Sequence, residues 1–321
     1  MKAVVQIGYG LPHSLELRDV EAPRVGGDEV LVKVHAASVN ALDYHMARGT
    51  PYIVRFSGPR APGQNIRGVD LSGQVEAVGK NVVDLKAGDD VFGGGNGSFA
   101  EYASAARERL TPKPTALTHE QAAALHVAGL TALQGLRDTA RLERGQSVLV
   151  NGAGGGVGTF AVQIAKWLGA RVTAVTRTEN IEMARSIGAD EVVDYRTEDF
   201  VSRGKQHDVF FDIAGNRPFA DCRRVLARKG TLVVIGGPPG RWLAPATRVF
   251  QAIALSPFVS QRLVPFLSKN SSADLLLLKE LAEEGKIRAV FDRQYSLNDA
   301  IEALSYAATG QARGKVIIKV R

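Results

Sequence analysis

Cysteine is almost absent from this 321-residue chain, where Cys222 stands alone. One thiol excludes an intrachain disulfide framework and any cysteine-rich zinc site, and it points to a reducing, cytoplasmic setting. Long apolar runs are missing too. No window approaches the roughly 20 apolar residues that a membrane span requires, and the leucines of Leu275–Leu278 are far too short a stretch. The opening MKAVVQIGYG alternates like a strand and lacks the apolar core of a secretory leader. Blocks of one charge are equally absent. The 40 Lys and Arg against 33 Asp and Glu leave a formal net charge of +7, yet the basic residues are scattered, which argues against a nucleic-acid partner. What remains is a globular composition, 45% hydrophobic, long enough to bury a sizeable core and to divide into two domains.

Residues 1–118 read as short strands separated by Gly, Pro and Asp turns: KAVVQI, EVLVKVHA, LSGQVEAVG, AGDDVFGGG and FAEYASA. Alternation with close turns predicts an antiparallel, partly barrel-like domain. A helix is expected to start at Thr118, whose hydroxyl stands in capping position relative to Gln121, and to run through AAALHVAGLTALQGL. From SVLV onward the rhythm changes to strand, helix, strand. RVTAVT, EVVDY, DVFFDIAG and GTLVVIGG are apolar through and through, as suits a parallel sheet covered on both faces. The tail predicts helices at SADLLLLKELAEEG and LNDAIEALSYAA and a closing strand at GKVIIKV.

The stretch NGAGGGVG, between the strand SVLV and a helical run, is the most informative. At the first strand-to-helix turn of a parallel sheet, a dinucleotide's pyrophosphate can rest on free helix N–H groups. The fingerprint is G-x-G-x-x-G, and here it reads Ala153-x-Gly155-x-x-Gly158, with Gly156 and Val157 between. Gly155 is expected to let the pyrophosphate approach and Gly158 to let helix and strand pack. The second strand then ends Val175-Thr176-Arg177. Sites for NAD place an acid there for the ribose 2′-OH, whereas a 2′-phosphate favours a cation. Thr176 can donate and Arg177 offers a planar, permanently charged fork, so NADPH is favoured. Glu179, two residues on, would weaken that preference if it faced the ribose. Tyr195 and Arg196, past EVVD, are candidates to flank the phosphate or adenine, or are plain surface residues at a strand end.

With these residues in place, the whole chain resembles the medium-chain dehydrogenase/reductase superfamily, in its zinc-free quinone oxidoreductase and oxoene (alkenal/enone) reductase branch. ASVNALDYHMARG, GVDLSGQVEAVG, KAGDDVFG, FAEYA, VAGLTALQGL, GAGGGVGTFAVQIAKWLGA, SIGADEVVDY and GQARGKVIIKV carry the resemblance. It implies an α/β fold in which a Rossmann-type doubly wound parallel sheet domain joins a GroES-like, mostly antiparallel β catalytic domain. The catalytic domain would comprise 1–118 and 263–321, the nucleotide-binding domain 119–262, with the active site between them. It implies cofactor contacts at His45, Thr131 and Asn180, at Ala214 within IAG, at Ile235 and Gly236 within VIGG, and at the Gly314-Lys315 pair near the nicotinamide. A homodimer is expected to form through Phe250–Val259, taken as the sheet's final strand.

Zinc alcohol dehydrogenases of this superfamily need a thiolate, an imidazole and a third ligand; the matching positions here are Asn40, Val69 and Ala128, none a competent zinc anchor. Without a Lewis acid, an unactivated carbonyl is hard to reduce. Hydride delivered to a quinone or to the β-carbon of an enone yields a delocalised charge that modest hydrogen bonding can stabilise. The Asn40 amide is the candidate donor to the substrate oxygen, or else a bridge in its turn. Tyr44 is the second candidate catalytic residue and Asp43 a structural one; no proton donor stands out. Cys222 and His126 read as packing residues. The alternatives are an enoyl-thioester reductase, hinted at by Arg55, Arg60 and Arg67 in one loop, and a non-catalytic NADPH-binding sensor or nucleic-acid-binding protein.

Overall fold

A computed structural model of the chain describes residues 1–50, 52, 55, 58, 65–237 and 246–321. Two compact units emerge, one formed by Met1–Leu130 with Lys269–Arg321, the other by Thr131–Ser268. These compact units divide at 130/131 and 268/269, beside the boundaries of 118/119 and 262/263 expected for the domains.

The first unit opens with a two-stranded antiparallel ribbon, β1 (Lys2–Gln6) and β2 (Leu15–Asp19). Then come β3 (Glu29–Val39), α1 (Ala41–Arg48), β4 (Asp70–Val78), β5 (Asp90–Gly94), β6 (Tyr102–Ala106) and β7 (Leu110–Pro112). Along β3, Val30, Val32, Val34 and Ala36 are buried while the residues between them are partly exposed, the period of two that a one-sided strand requires. The three valines pack with Leu71, Val75, Val91 and Leu110, and Ala36 with Ala123, Ala124 and Ile317.

Thr118 caps α2 (His119–Ala123) as expected: the Gln121 amide donates to its hydroxyl, and its own N–H donates to the Gln121 side chain. The helix then breaks. A second segment, α3 (His126–Gln134), follows, continued by a π-helical turn over Gly135–Ala140. The break has a tertiary cause. Asp70 of β4 accepts the Val127 N–H at 3.1 Å and so satisfies one of the open donors of a new helix start.

The second unit contains β8 (Ser147–Asn151), α4 (Gly156–Trp167), β9 (Arg171–Thr176), α5 (Ile181–Ser186), β10 (Glu191–Asp194), β11 (His207–Asp212), α6 (Phe219–Arg224), β12 (Leu226–Val234), α7 (Ala246–Leu255) and β13 (Arg262–Pro265). Its six strands are all parallel, in the order β10-β9-β8-β11-β12-β13. That is the doubly wound arrangement, with the strand order reversing between β8 and β11.

Phe250–Val259 is not a strand. Its first part belongs to α7 and Ser256–Phe258 form a 3-10 turn; the last strand is β13. Ala252 is fully buried while Phe250 and Ile253 are 64% and 60% exposed, a helical rather than alternating pattern. Buried Arg248 anchors the helix to Asp212 at the end of β11 through a 2.6 Å ion pair.

The chain closes in the first unit with α8 (Ser272–Glu283), β14 (Phe291–Ser296), α9 (Ala300–Ala307) and β15 (Lys315–Lys319). β15 pairs antiparallel with β3, completing a sheet β14-β15-β3-β4-β5-β7 with β6 also on β3. No helix among the described residues is long and apolar enough to cross a membrane.

Candidate functional site

In the second unit, the glycine turn links β8 to α4. The N–H groups of Gly152 and Ala153 donate to Val175 O at 3.2 and 3.0 Å, tying the turn to β9. Gly155 is the N-cap of α4, with φ −89° and ψ 178°. A methyl at Gly155 would meet nothing closer than Gly152 O at 3.7 Å, so the space above it is open. A methyl at Gly158 would overlap the Gly152 carbonyl oxygen and lie 2.7 Å from Ala153 Cα. The two glycines therefore differ: open space lies above Gly155, while Gly158 lets the helix sit on its strand. Gly156 and Val157 begin the first turn of α4, where helix N–H groups have no partner within the helix.

Thr176 and Asn180 are buried beside the turn, with Thr176 Oγ1 only 2.6 Å from where a side chain on Gly154 would begin. Asn180 Oδ1 is buried with no hydrogen-bond partner among the described residues. Arg177 follows at the strand end. Tyr195, half exposed, is held at the end of β10 by its N–H to Thr176 O at 3.0 Å. Arg196 Nη1 and Arg177 Nε lie 2.5 and 3.7 Å from the Glu179 carboxylate. Glu179 thus bridges two cations. The clear cradle and the two arginines at the neighbouring strand ends fit a dinucleotide whose adenosine ribose carries a phosphate.

At the same sheet edge, Asp212 accepts from Asn151 Nδ2 at 2.8 Å and from Gly215 N at 3.0 Å. Burial pushes its carboxyl up, against the pull of Arg248 and these donors. Ala214 N donates to Asn151 O at 3.2 Å, and Ile235 N and Gly236 N donate to Asp212 O at 3.1 and 3.2 Å. Ala214, Ile235 and Gly236 are thereby brought together at the carboxyl ends of the strands, where ligands of such sheets bind. Thr131 lies on α3, buried, with its hydroxyl 3.1 Å from that of Ser268. Cys222 is fully buried in the sheet's apolar core, and burial pushes its thiol up to about 12; it packs and does not react.

In the first unit, Asn40 precedes α1 and its N–H donates to Asp43 Oδ2 at 2.8 Å. Its amide oxygen accepts from Lys315 Nζ at 2.7 Å, while Nδ2 has only a 3.4 Å contact to Ser38 O. Tyr44 packs on the apolar cluster of Val4, Leu15 and Phe99, its ring 4.8 Å from that of His45. His45 Nδ1 lies 3.1 Å from Thr50 O, and burial lowers its pKa. Gly314 adopts φ +78° against the Val290 carbonyl, as only glycine does readily. Lys315, for which the resemblance implies a cofactor contact, is 2% exposed and directs its ammonium inward.

That ammonium belongs to a buried cluster which the sequence does not announce. Asp70 is fully buried; it accepts from Ser38 Oγ at 2.6 Å and lies 3.3 Å from Lys315 Nζ and 3.0 Å from His126 Nδ1. Burial alone would raise its carboxyl, but Lys315, His126 and Ser38 hold it well below the usual carboxylate range. His126 Nε2 in turn lies 3.2 Å from Asn270 Oδ1, so the histidine is a satisfied interior residue, as expected. Asp43 goes the other way: burial raises its pKa to about 7, only partly opposed by the Asn40 N–H. The one signal in the sequence was an acid inside the otherwise strand-like GVDLSG.

A GroES-like β unit joined to a doubly wound unit with an open glycine cradle defines a medium-chain dehydrogenase/reductase. The sequence profiles of two families match: the alcohol dehydrogenase GroES-like domain over residues 26–115 and zinc-binding dehydrogenase over residues 187–318. The chain is 34% identical to the chloroplast envelope quinone oxidoreductase homolog of Arabidopsis thaliana, covering 95% of this chain and 94% of that protein. It is 32% identical to the NADPH-dependent alkenal/one oxidoreductase, chloroplastic, of the same plant, covering 99% and 79%. The solved quinone oxidoreductase from Coxiella burnetii superposes with a TM-score of 0.91 at 31% identity, covering 100% of this chain and 99% of that one. The chain belongs to the quinone oxidoreductase and enone reductase branch of the medium-chain dehydrogenase/reductase superfamily.

The second profile's description implies zinc, and the donors present do not fit it. The only cysteine lies in the apolar core of the other unit, and beside Asp70 and His126 stands the Lys315 ammonium, a cation with no lone pair to offer a metal.

Proposed function

We propose that the protein is an NADPH-dependent, metal-independent reductase that transfers hydride to quinones or to α,β-unsaturated carbonyls. The observation that carries this reading is the glycine cradle at Gly155 with Arg177 and Arg196 at the neighbouring strand ends. The names of similar proteins, quinone oxidoreductase and NADPH-dependent alkenal/one oxidoreductase, support it. NADPH, when bound, supplies the hydride. The first turn of α4 receives the pyrophosphate on its open N–H groups, and Arg177 and Arg196 take the 2′-phosphate as forked donors. Asn40 Nδ2 donates to the substrate oxygen as charge grows there. Conjugation spreads that charge, so a neutral donor suffices where a saturated ketone would need a stronger electrophile. Water supplies the proton that completes an enone's reduction.

The basic mouth expected of an enoyl-thioester reductase gains no support from the described residues. Arg55 stacks over the rings of Tyr9 and Tyr52 at 4.7 and 4.6 Å, and Arg67 is buried; Arg60 and the GGPPGRW stretch beyond Gly237 lie outside the described residues. The partner class is a small conjugated substrate, and the compartment is a reducing, cytoplasmic one. For the assembly, a second copy of the chain covers the open edge of β13 and the apolar face of α7.

The decisive assay follows nicotinamide absorbance with NADPH and NADH, against quinones, enones and saturated ketones, with and without a chelator. Oxidation of NADPH by conjugated acceptors alone, unchanged by chelation, is the expected outcome. Equal rates with saturated ketones, or activity lost to the chelator, would sink the reading.

A further inference from the structure

We infer that Lys315 is a positioning residue that fixes the orientation of the Asn40 carboxamide, so that its NH2 end and not its oxygen faces the substrate; this rests on the reading of Asn40 as the carbonyl donor. The two ends of a carboxamide are nearly the same size, and an asparagine at a helix start can adopt either flip. Only one flip presents a donor. A substrate oxygen that gains negative charge would be repelled by the other.

The geometry removes the choice. Lys315 Nζ lies 2.7 Å from one end of the Asn40 amide, and an ammonium has three donors and no acceptor, so that end must be the oxygen. The reverse flip would press an NH2 group against an NH3⁺ group. Lys315 cannot turn away to permit it, because its ammonium is also within 3.3 Å of Val39 O and of Asp70 Oδ2. Asp70 is itself held by Ser38, His126 and the Val127 N–H, and His126 by Asn270. The side chains of Lys315 and Asp70 are 2% and 0% exposed, so solvent does not compete for these bonds.

Asn40 is left with Nδ2, whose single hydrogen-bond contact among the described residues is the long one to Ser38 O at 3.4 Å. Two N–H bonds cannot both be used by one carbonyl, so at least one remains for a ligand. A cation on the amide oxygen also polarises the group and makes its N–H a stronger donor, as linked hydrogen bonds do. Asp70 balances the charge of Lys315, so the arrangement does not place a bare cation in the interior. Lys315 thus acts on the reaction through Asn40 without touching the substrate.

The test is a double-mutant cycle on the full-length protein: Asn40→Ala, Lys315→Met and the pair, with kcat and KM for a simple enone, NADPH affinity by fluorescence, and thermal unfolding. If Lys315 acts through Asn40, Lys315→Met lowers kcat about 10-fold or more and leaves the NADPH Kd within about twofold of wild type. In the Asn40→Ala background it costs no further activity beyond about twofold. Asn40→Asp keeps an oxygen toward Lys315 but removes the donor, and loses as much kcat as Asn40→Ala while melting no lower than wild type.

Full multiplication of the two single effects would overturn the inference, because a merely structural lysine acts independently of the amide. So would an active Asn40→Asp. If Asn40→Ala leaves kcat intact, the donor role of Asn40 falls and the inference with it, while the continuing NADPH turnover leaves the reductase reading in place. Should Lys315→Met fail to fold because Asp70 is stranded without its cation, the Asp70→Asn/Lys315→Met pair removes both charges, and the same loss of kcat is required of it.

Discussion

Glu179 Oε1 lies 2.5 Å from Arg196 Nη1, so the acid after β9 is paired with a cation of the next strand end. Both side chains are about half exposed, so the pair adds little to stability. Its effect falls on the cofactor. A 2′-phosphate must displace Glu179 from Arg196 and from Arg177. Glu179→Gln should therefore tighten binding of 2′,5′-ADP several-fold, roughly 3- to 10-fold at low salt, and leave 5′-AMP unchanged. Calorimetric titration checks it; weaker 5′-AMP binding in the variant would show that Glu179 serves the ribose after all.

Alanine at the two glycines of the cradle should separate folding from binding. Gly158→Ala drives a methyl into the Gly152 carbonyl and is expected to cost roughly 2 kcal/mol or more of stability. Gly155 has ordinary extended dihedrals and open space. Its alanine variant should melt within about 0.5 kcal/mol of wild type and still bind NADPH at least about 10-fold more weakly. Denaturant unfolding and a fluorescence titration on each variant decide the matter; a Gly155→Ala variant with undiminished affinity would remove the pyrophosphate from this turn.

Asp43 gives the protein a stability slope at mild pH. Its carboxyl is raised by burial to about 7 from an unfolded value of 3.8. The folded state then holds a proton that the unfolded chain has released, so the stabilisation is complete below the unfolded pKa and is lost as pH rises toward 7. At steepest this amounts to about 1.4 kcal/mol per pH unit. Asp43→Asn keeps an oxygen for the Asn40 N–H and cannot ionise. Measured by urea unfolding, the variant should gain on wild type steadily from pH 4 to 7 and no further above it; a constant difference across that range would mean the carboxyl titrates normally.

The apolar face of α7 and its following turn is large for a solvent-facing surface: Phe250, Ile253 and Phe258 are 64%, 60% and 85% exposed. β13 ends the parallel sheet beside it, and an open strand edge invites pairing with its own twin. Light scattering should give twice the chain mass, and Phe258→Glu with Ile253→Glu should give a monomer of unchanged secondary structure. A wild-type monomer at all concentrations would end the proposal.

Much of this was legible along the chain. The doubly wound unit is legible because buried parallel strands are apolar throughout and the helix after β8 sits on its strand only with glycine at Gly158. The α7 segment was misread because its apolar residues serve both a buried and an exposed face, so their number suggests a strand while only the packing of Ala252 and Arg248 exposes a helical period. The helix after Thr118 was read as continuous because nothing local breaks it; the interruption comes from Asp70, 57 residues away from the Val127 amide it caps.

The sequence by itself determined the elements that depend on near neighbours: strand alternation, the capping pair at Thr118, the glycines of the β8–α4 turn, and a cation, Arg177, just past the end of β9. Only the tertiary structure decided what the charged and amide groups do. Lys315 meets Asp70 across 245 residues and Asn40 across 275, and neither spacing carries a local signal. Removing such groups from water is costly unless each finds its partner. The fold therefore dictates which way a lysine points, which end of an asparagine is left open, and that burial raises the Asp43 carboxyl to about 7 while Lys315, His126 and Ser38 keep Asp70 charged.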